Sequence, residues 1–443
     1  MIGDAFRRRP VLSAAETLLL LLALLQTGRL AGFMLDADAT LLSLVPQSRF
    51  LSNHLCFTAY YEGARLAGTE QNLYLLEHYR GAGNSEESRR KIDRFNVDLY
   101  QYPPPFLLLP KAVSAATGSF LRARLLWTIL QAGGALLALL GLAAWIGGRE
   151  GMIAALLVPA VWLTMPFQAT LQIGNFQLAA FAACILAMIL FARDIPIAGG
   201  ALLSFAIVSK IFPGILLVWL IVRRDWKAAL WTAVWAAAWC GLGLAVFGPA
   251  PFSAFLGWQL PRIESGEAFP MLTRGGVQIA INHSITGAVL KLAALGVPAM
   301  TLVTARIASW LWTLGLLAAV VWVGRGSSLT RLQQACCWLA LLGLASLRSP
   351  FVPQEYAFLG PVWLLPLLAA GWGSRSRVRL FVVGAFVVLA ALLPHDTPVP
   401  PPVFCTITTL QQIAGVTVLL AALALVAGDQ RGGGVSRNGT PAL

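Results

Sequence analysis

A lysine sits inside one of the apolar runs of this 443-residue chain, at Lys210 in AIVSKIFPGIL. An ammonium held at mid-bilayer costs about 2.5–3.5 kcal/mol even on permissive scales. The nearest polar boundary is about a dozen residues away, beyond the reach of a snorkelling side chain. Pro213 follows three residues later, and its missing N–H frees backbone groups and invites a break. A lysine so placed suits an anionic ligand. Asn282 and His283 lie in a polar stretch with Arg262 and Arg274 upstream, a set that can hold a phosphate. A solvated loop histidine is the plain alternative. Asp36 and Asp38 follow the first apolar run, where a carboxylate can cap the next helix or act as a base beside an acceptor hydroxyl. Asn175 and Gln177, in Gly174-Asn-Phe-Gln, place two amides in an apolar stretch. Such amides join helices or touch a substrate.

The elements that must position these groups are membrane helices. The chain is 58% hydrophobic and 12% charged, with a mean hydropathy of +0.74. Soluble domains carry about 25% charged residues, so this is an all-α polytopic membrane protein. Residues 35–104 are the exception, holding nine of the 19 acidic residues and six of the seven tyrosines. Hydrocarbon does not tolerate that segment, because each unpaired polar group there costs several kcal/mol. It belongs in water or at the interface.

The net charge of +13 does not point to nucleic acid. The positive charges come in small clusters at the ends of apolar blocks (Arg7–Arg9, Arg223–Lys227, Arg325–Arg331, Arg375–Arg379) rather than on one face. The six cysteines show neither metal-type spacing nor a disulfide framework, and no cofactor is expected. Val11–Met34 is long enough to be a retained first span rather than a cleaved signal.

Loop charge then predicts a multi-pass protein of the cell (inner) membrane with both termini cytoplasmic. It places 35–104 outside as a large first extracytoplasmic loop and 249–296 as a second. Residues 1–427 form one integral membrane domain of about twelve helices, and 428–443 a disordered cytoplasmic tail. Between 105 and 222 two paths stay open. One has five simple crossings. The other lays 105–118 at the surface or as a re-entrant helix, and breaks 197–222 at Ser209–Pro213 into a hairpin with an outward tip.

The strings AYYEGARLAG, YQYPPPF, GNFQ, SKIFP followed by RRDW, NHSITG and SPFVPQEY occur in this order between about residues 53 and 360. In that order they resemble glycosyltransferase family 87, of the GT-C superfamily. The resemblance implies a GT-C-like bundle and a hexosyltransferase type of activity. A hexose or pentose, mannose-like favoured, would pass from a polyprenyl-phosphate donor to an extracytoplasmic lipid or glycan acceptor, usually with inversion. A loop carboxylate would deprotonate the acceptor while cations stabilise the departing phosphate. Tyr60 and Tyr102, within the matching strings, join Lys210, Asn175, Gln177, Arg274, Asn282 and His283 as expected substrate contacts, with Asp36 and Asp38 as candidate bases. The chain departs from the family in two places: the Asp usually found four residues before the first Tyr of the YY motif is Cys56 here, and the GQ-N element is permuted to Gly174-Asn-Phe-Gln177. Two rival readings therefore stand beside transfer. One is an inactive relative that binds lipid-linked sugar, and the other is a lipid-linked-sugar transporter.

Overall fold

A computed structural model describes residues 10–80, 90–273, 276–326, 329–392 and 399–432. Its principal helices are α1 (Pro10–Leu35), α2 (Phe57–Leu66), α3 (Phe120–Ile146), α4 (Gln177–Ala192), α5 (Pro196–Lys210), α6 (Gly214–Val222) and α7 (Trp226–Phe247). They continue with α8 (Ile285–Ala294), α9 (Leu302–Gly324), α10 (Arg331–Ser346), α11 (Leu359–Trp372), α12 (Ser376–Ala390) and α13 (Pro401–Gly432). The polar segment adds a two-stranded antiparallel ribbon, β1 (Lys91–Ile92) and β2 (Phe95–Asn96).

Among the described residues, five helices are long and apolar enough to cross a membrane: Ala14–Leu35, Phe120–Ile146, Trp226–Phe247, Leu302–Gly324 and Pro401–Gln430. A sixth arises if Gly148–Trp162 and Met165–Ile173, bent by 61° at their junction, form one span. This is fewer than the twelve expected from apolar blocks. The difference lies in length: α4, α5, α10, α11 and α12 have 14 to 16 residues. Helices that short rise about 21–24 Å, less than the roughly 30 Å hydrocarbon core.

Burial separates two kinds of helix. On α1, α7 and α9 large apolar side chains such as Leu25, Leu230 and Leu311 stay exposed, as on a lipid-facing surface. By contrast α10 and α11 are buried around most of their circumference. They meet backbone to backbone, since a Cβ added to Gly360 would come within 3.0 Å of Gly343 Cα. Close approach through small residues is how helices pack where no hydrophobic drive separates them from lipid.

The path through 196–222 follows the broken form. α5 stops at Lys210, and Ile211 takes φ +61°, a left-handed conformation that a β-branched residue rarely adopts. α6 then returns toward the end where α5 began. Asp194, just before α5, pairs with Lys227 at the start of α7 at 2.9 Å. Gly200 lies against the backbone of Trp231, and farther along Phe205 packs edge-to-face on Trp239. So α5 and α7 run side by side in the same direction, and α6 must lead back between them. Lys210 is therefore the tip of a helical hairpin.

The polar segment covers that tip. Glu62 of α2 is buried and ion-paired with Arg65 (3.0 Å) and Arg90 (2.8 Å), which ties the helix to the strand leading into β1. Removing the arginines would leave a buried carboxylate without its partners, so Glu62 is an anchor. The hairpin predicts a cross-link. In a background without native cysteines, Asp194→Cys and Lys227→Cys should be joined by a short bismaleimide. An unbroken helix over 196–222 would separate its ends by about 40 Å and give none.

Candidate functional site

At the hairpin tip the Lys210 ammonium donates to Asn175 Oδ1 at 3.0 Å. It also lies over the rings of Tyr102 and Tyr356, 4.8 and 5.8 Å from their centroids. Asn175 owes its position to Gly174, which ends the preceding helix at φ +68° and packs against Phe57 and Trp127. Only glycine takes that turn without strain. Asn175 Oδ1 also accepts from the Gln177 backbone N–H at 2.9 Å. Both groups facing that oxygen are donors, which fixes the amide: its Nδ2 must point the other way. It donates to Cys56 Sγ and to Tyr102 Oη, each at 3.3 Å.

Cys56 thus stands in the middle of the site. Its sulphur also lies 3.2 Å from Tyr356 Oη and 3.6 Å from His54 Nε2. On the other side of the imidazole, Nδ1 faces the Asp98 carboxylate at 3.3 Å. Asp98 is held by its backbone N–H, which donates to Thr58 Oγ1, and His54 stacks on Phe50 at 4.4 Å. Burial pulls His54 down, but the Asp98 carboxylate and the Cys56 sulphur more than offset this, and the imidazole is held well above its usual value. The three groups could suggest an ion site. An imidazole, however, ligates through one nitrogen, and here the acid and the thiol face different ones. That is the arrangement of a hydrogen-bonded relay.

The tyrosines form the wall. Tyr60 Oη donates to Tyr102 Oη at 3.1 Å, and both rings pack edge-on or tilted against Phe106. Burial raises both phenols, Tyr60 well above its usual value. They remain protonated and act as hydrogen-bonding groups rather than bases. The three prolines before Phe106 start a short 3-10 turn at Pro104–Leu107, and Tyr74 Oη donates to the Tyr102 carbonyl.

Among the expected site residues, Lys210, Asn175, Tyr60 and Tyr102 are brought together. Gln177 is buried beside them and joins through its backbone. Asn282 and His283 serve a different contact. Asn282 Nδ2 donates to the Pro350 carbonyl, while its Oδ1 accepts from Ser284 N and Val352 N. His283 N donates to the Val352 carbonyl, and its ring packs on Phe358. NHSITG and SPFVPQEY therefore interlock, and the latch holds the backbone that presents Tyr356. Gly287 closes it, since an added Cβ would come within 2.2 Å of the Asn282 carbonyl. Arg274 lies outside the described residues. Asp36 and Asp38 line a surface recess with Asp93 and Arg94, and Asp38 is exposed and pairs with Arg94 at 3.5 Å. Neither meets the cluster around Cys56 in a hydrogen bond or ion pair.

His54, Asp98 and Tyr356 were not singled out from sequence. Tyr356 stood within a quoted string, but nothing in spacing connects Asp98 to His54.

These features define a helical membrane protein whose polar loop closes over a cationic hairpin tip. A family model, glycosyltransferase family 87, matches residues 100–305, just under half of the chain. The matched segment contains YQYPPPF, GNFQ, SKIFP, RRDW and NHSITG, so the resemblance carried by those strings holds, and the match supports membrane glycosyltransferase activity. No curated protein sequence matches the chain. The loosely similar solved structures include two of ArnT from Cupriavidus metallidurans. The one bound to undecaprenyl phosphate has a TM-score of 0.38 and 15% identity, covering 96% of this chain and 81% of that one. The apo structure has a TM-score of 0.32 and 16% identity, covering 97% and 81%.

The raised His54 value has a sign that can be checked. Protonated His54 adds stability that is complete below its unfolded value near pH 6.5 and is lost as pH rises through the folded value. Asp98→Asn should therefore lower the thermal midpoint of the detergent-solubilised protein most below about pH 6.5, and the deficit should shrink as pH rises through the folded value. A deficit of constant size would contradict the pairing.

Proposed function

We propose that the protein is a glycosyltransferase that moves a hexose or pentose, with a mannose-like sugar favoured, from a polyprenyl-phosphate donor to a lipid or glycan acceptor. The observation that carries this reading is the Lys210 ammonium, set at a hairpin tip against neutral amide and phenol groups. The donor leaves as a phosphate that gains negative charge, and a fixed cation beside it stabilises that charge in the transition state. Asn175 orients the ammonium, and the Tyr60–Tyr102 wall offers hydroxyls and ring faces to a sugar. The polyprenyl chain would run along the lipid-facing surface, consistent with apolar side chains exposed on the long helices. The family match supports a transferase over a transporter. Asp36 and Asp38 stay competing candidates for the base, while Asn282, His283 and Arg274 stay candidates for a more distant part of the substrate.

The site is assigned to the extracytoplasmic face of the inner membrane, with both termini cytoplasmic, on the distribution of basic clusters. An impermeant thiol reagent applied to intact cells should label Ser85→Cys and spare Ser436→Cys in a cysteine-free background. The reverse pattern would invert the topology.

Lys210→Met keeps a side chain of similar length and removes the charge. It should leave the protein monodisperse and weaken binding of a polyprenyl-phosphate sugar by about 10- to 100-fold, the value of one hydrogen bond to a charged group. Unchanged affinity in a folded variant would make Lys210 a structural residue. Tight donor binding with the sugar carried across proteoliposomes but never transferred would favour the transporter.

A further inference from the structure

The residue that breaks the family pattern is the one on which the site converges. Three groups able to donate a hydrogen bond face Cys56 Sγ: Asn175 Nδ2 at 3.3 Å, Tyr356 Oη at 3.2 Å and His54 Nε2 at 3.6 Å. The first is a fixed donor, because Lys210 and the Gln177 N–H occupy the other end of the amide. An acceptor-only carboxylate faces His54 Nδ1, so that nitrogen carries a proton. A proton taken from the thiol by Nε2 leaves an imidazolium between Asp98 and a thiolate. The other titratable groups around the sulphur are Tyr60, Tyr102 and Lys210. The two phenols are neutral, and the lysine favours an anion. Cys56 is partly exposed, as are the side chains of His54 and Asp98.

We propose that Cys56, paired with His54 and Asp98, is the general base that deprotonates the acceptor hydroxyl. The inference rests on the transferase reading above. In the step the acceptor O–H bond breaks and its proton passes to Sγ. The acceptor oxygen forms a bond to the anomeric carbon, and the bond from that carbon to the phosphate oxygen breaks, its electron pair staying on the phosphate beside Lys210. The thiolate becomes a thiol, the lipid phosphate gains one negative charge, and the thiol later returns its proton to solvent through His54. Cys56 is the catalytic residue. His54 and Asp98 act through it as positioning residues. The imidazole, backed by the Asp98 carboxylate, gives the thiol a partner for its proton that an isolated thiol lacks.

The test reads the thiolate directly. Full-length protein in detergent is pulsed with iodoacetamide across a pH series, and alkylation of the Cys56 peptide is quantified by mass spectrometry. His54→Asn should slow alkylation of Cys56 at neutral pH relative to the parent chain and change its dependence on pH. Transfer from a radiolabelled polyprenyl-phosphate mannose should fall by about 10²- to 10⁴-fold in Cys56→Ala, the usual cost of losing a general base, and recover in Cys56→Asp. An ordinary thiol profile that ignores His54→Asn overturns the relay, even if sugar is transferred. So does full activity in Cys56→Ala, or a loss confined to Asp36→Asn or Asp38→Asn. A clear thiolate in a chain that transfers no sugar, with or without Cys56→Asp, sinks the transferase reading instead, and the role of base with it.

Discussion

An ammonium cannot remain in hydrocarbon, and much of this molecule's irregular architecture serves the one at Lys210. The helix that carries it stops there, and Ile211 takes a backbone conformation that costs on the order of 1–3 kcal/mol. The chain then reverses through α6. The break delivers the ammonium to a polar lid instead of to lipid, and Asn175 meets it with a carbonyl oxygen. Asn175 can do so because Gly174 turns the chain immediately before it. Through the other end of the same amide, the position of the cation is passed to the thiol of Cys56. One side chain thus links the proposed phosphate site to the proposed base.

Around this axis the work is divided among segments far apart in sequence. The polar segment supplies His54, Cys56, Tyr60, Asp98 and Tyr102, and buried Glu62 keeps α2 in register with the ribbon. Tyr356 arrives from the other side, on a backbone held by the three hydrogen bonds of the Asn282 side chain. The latch and the cluster touch different faces of the same short stretch. A change in the latch is therefore expected to reach the site as displacement of Tyr356, not as a lost ligand contact.

Much of the architecture was legible in the sequence. Composition and the distribution of basic residues point to a helical membrane protein, and Lys210 with Pro213 made a break one of the two paths left open. The number of spans was not legible, because hydropathy cannot tell a 15-residue buried helix from part of a crossing. Of the site, Lys210 and Asn175 stood out by being polar in apolar surroundings, and Tyr60 and Tyr102 through the strings that carry the family resemblance. Asn282 and His283 stood out as a polar pair with arginines upstream, yet their partners are backbone groups, which a motif does not reveal. Asp36 and Asp38 were suggested by proximity to the first helix along the chain. Asp98 reaches His54 only because the β1–β2 ribbon folds back over α2, a tertiary event without periodicity. Cys56 looked like a loss when compared with the family alone. It becomes a candidate base only when its neighbours are known.

The central claim is that a lipid phosphate and an acceptor meet at the hairpin tip, between Lys210 and Cys56. The most direct measurement uses a polyprenyl-phosphate analogue with a diazirine next to the phosphate, photolysed on the full-length protein in lipid nanodiscs and mapped by peptide mass spectrometry. Labelling should fall on the segments carrying Tyr102, Asn175, Lys210 and Tyr356, and excess unlabelled polyprenyl phosphate should suppress it. Labelling confined to the recess of Asp36, Asp38 and Arg94, or to the lipid-facing helices with none at the tip, would contradict the account.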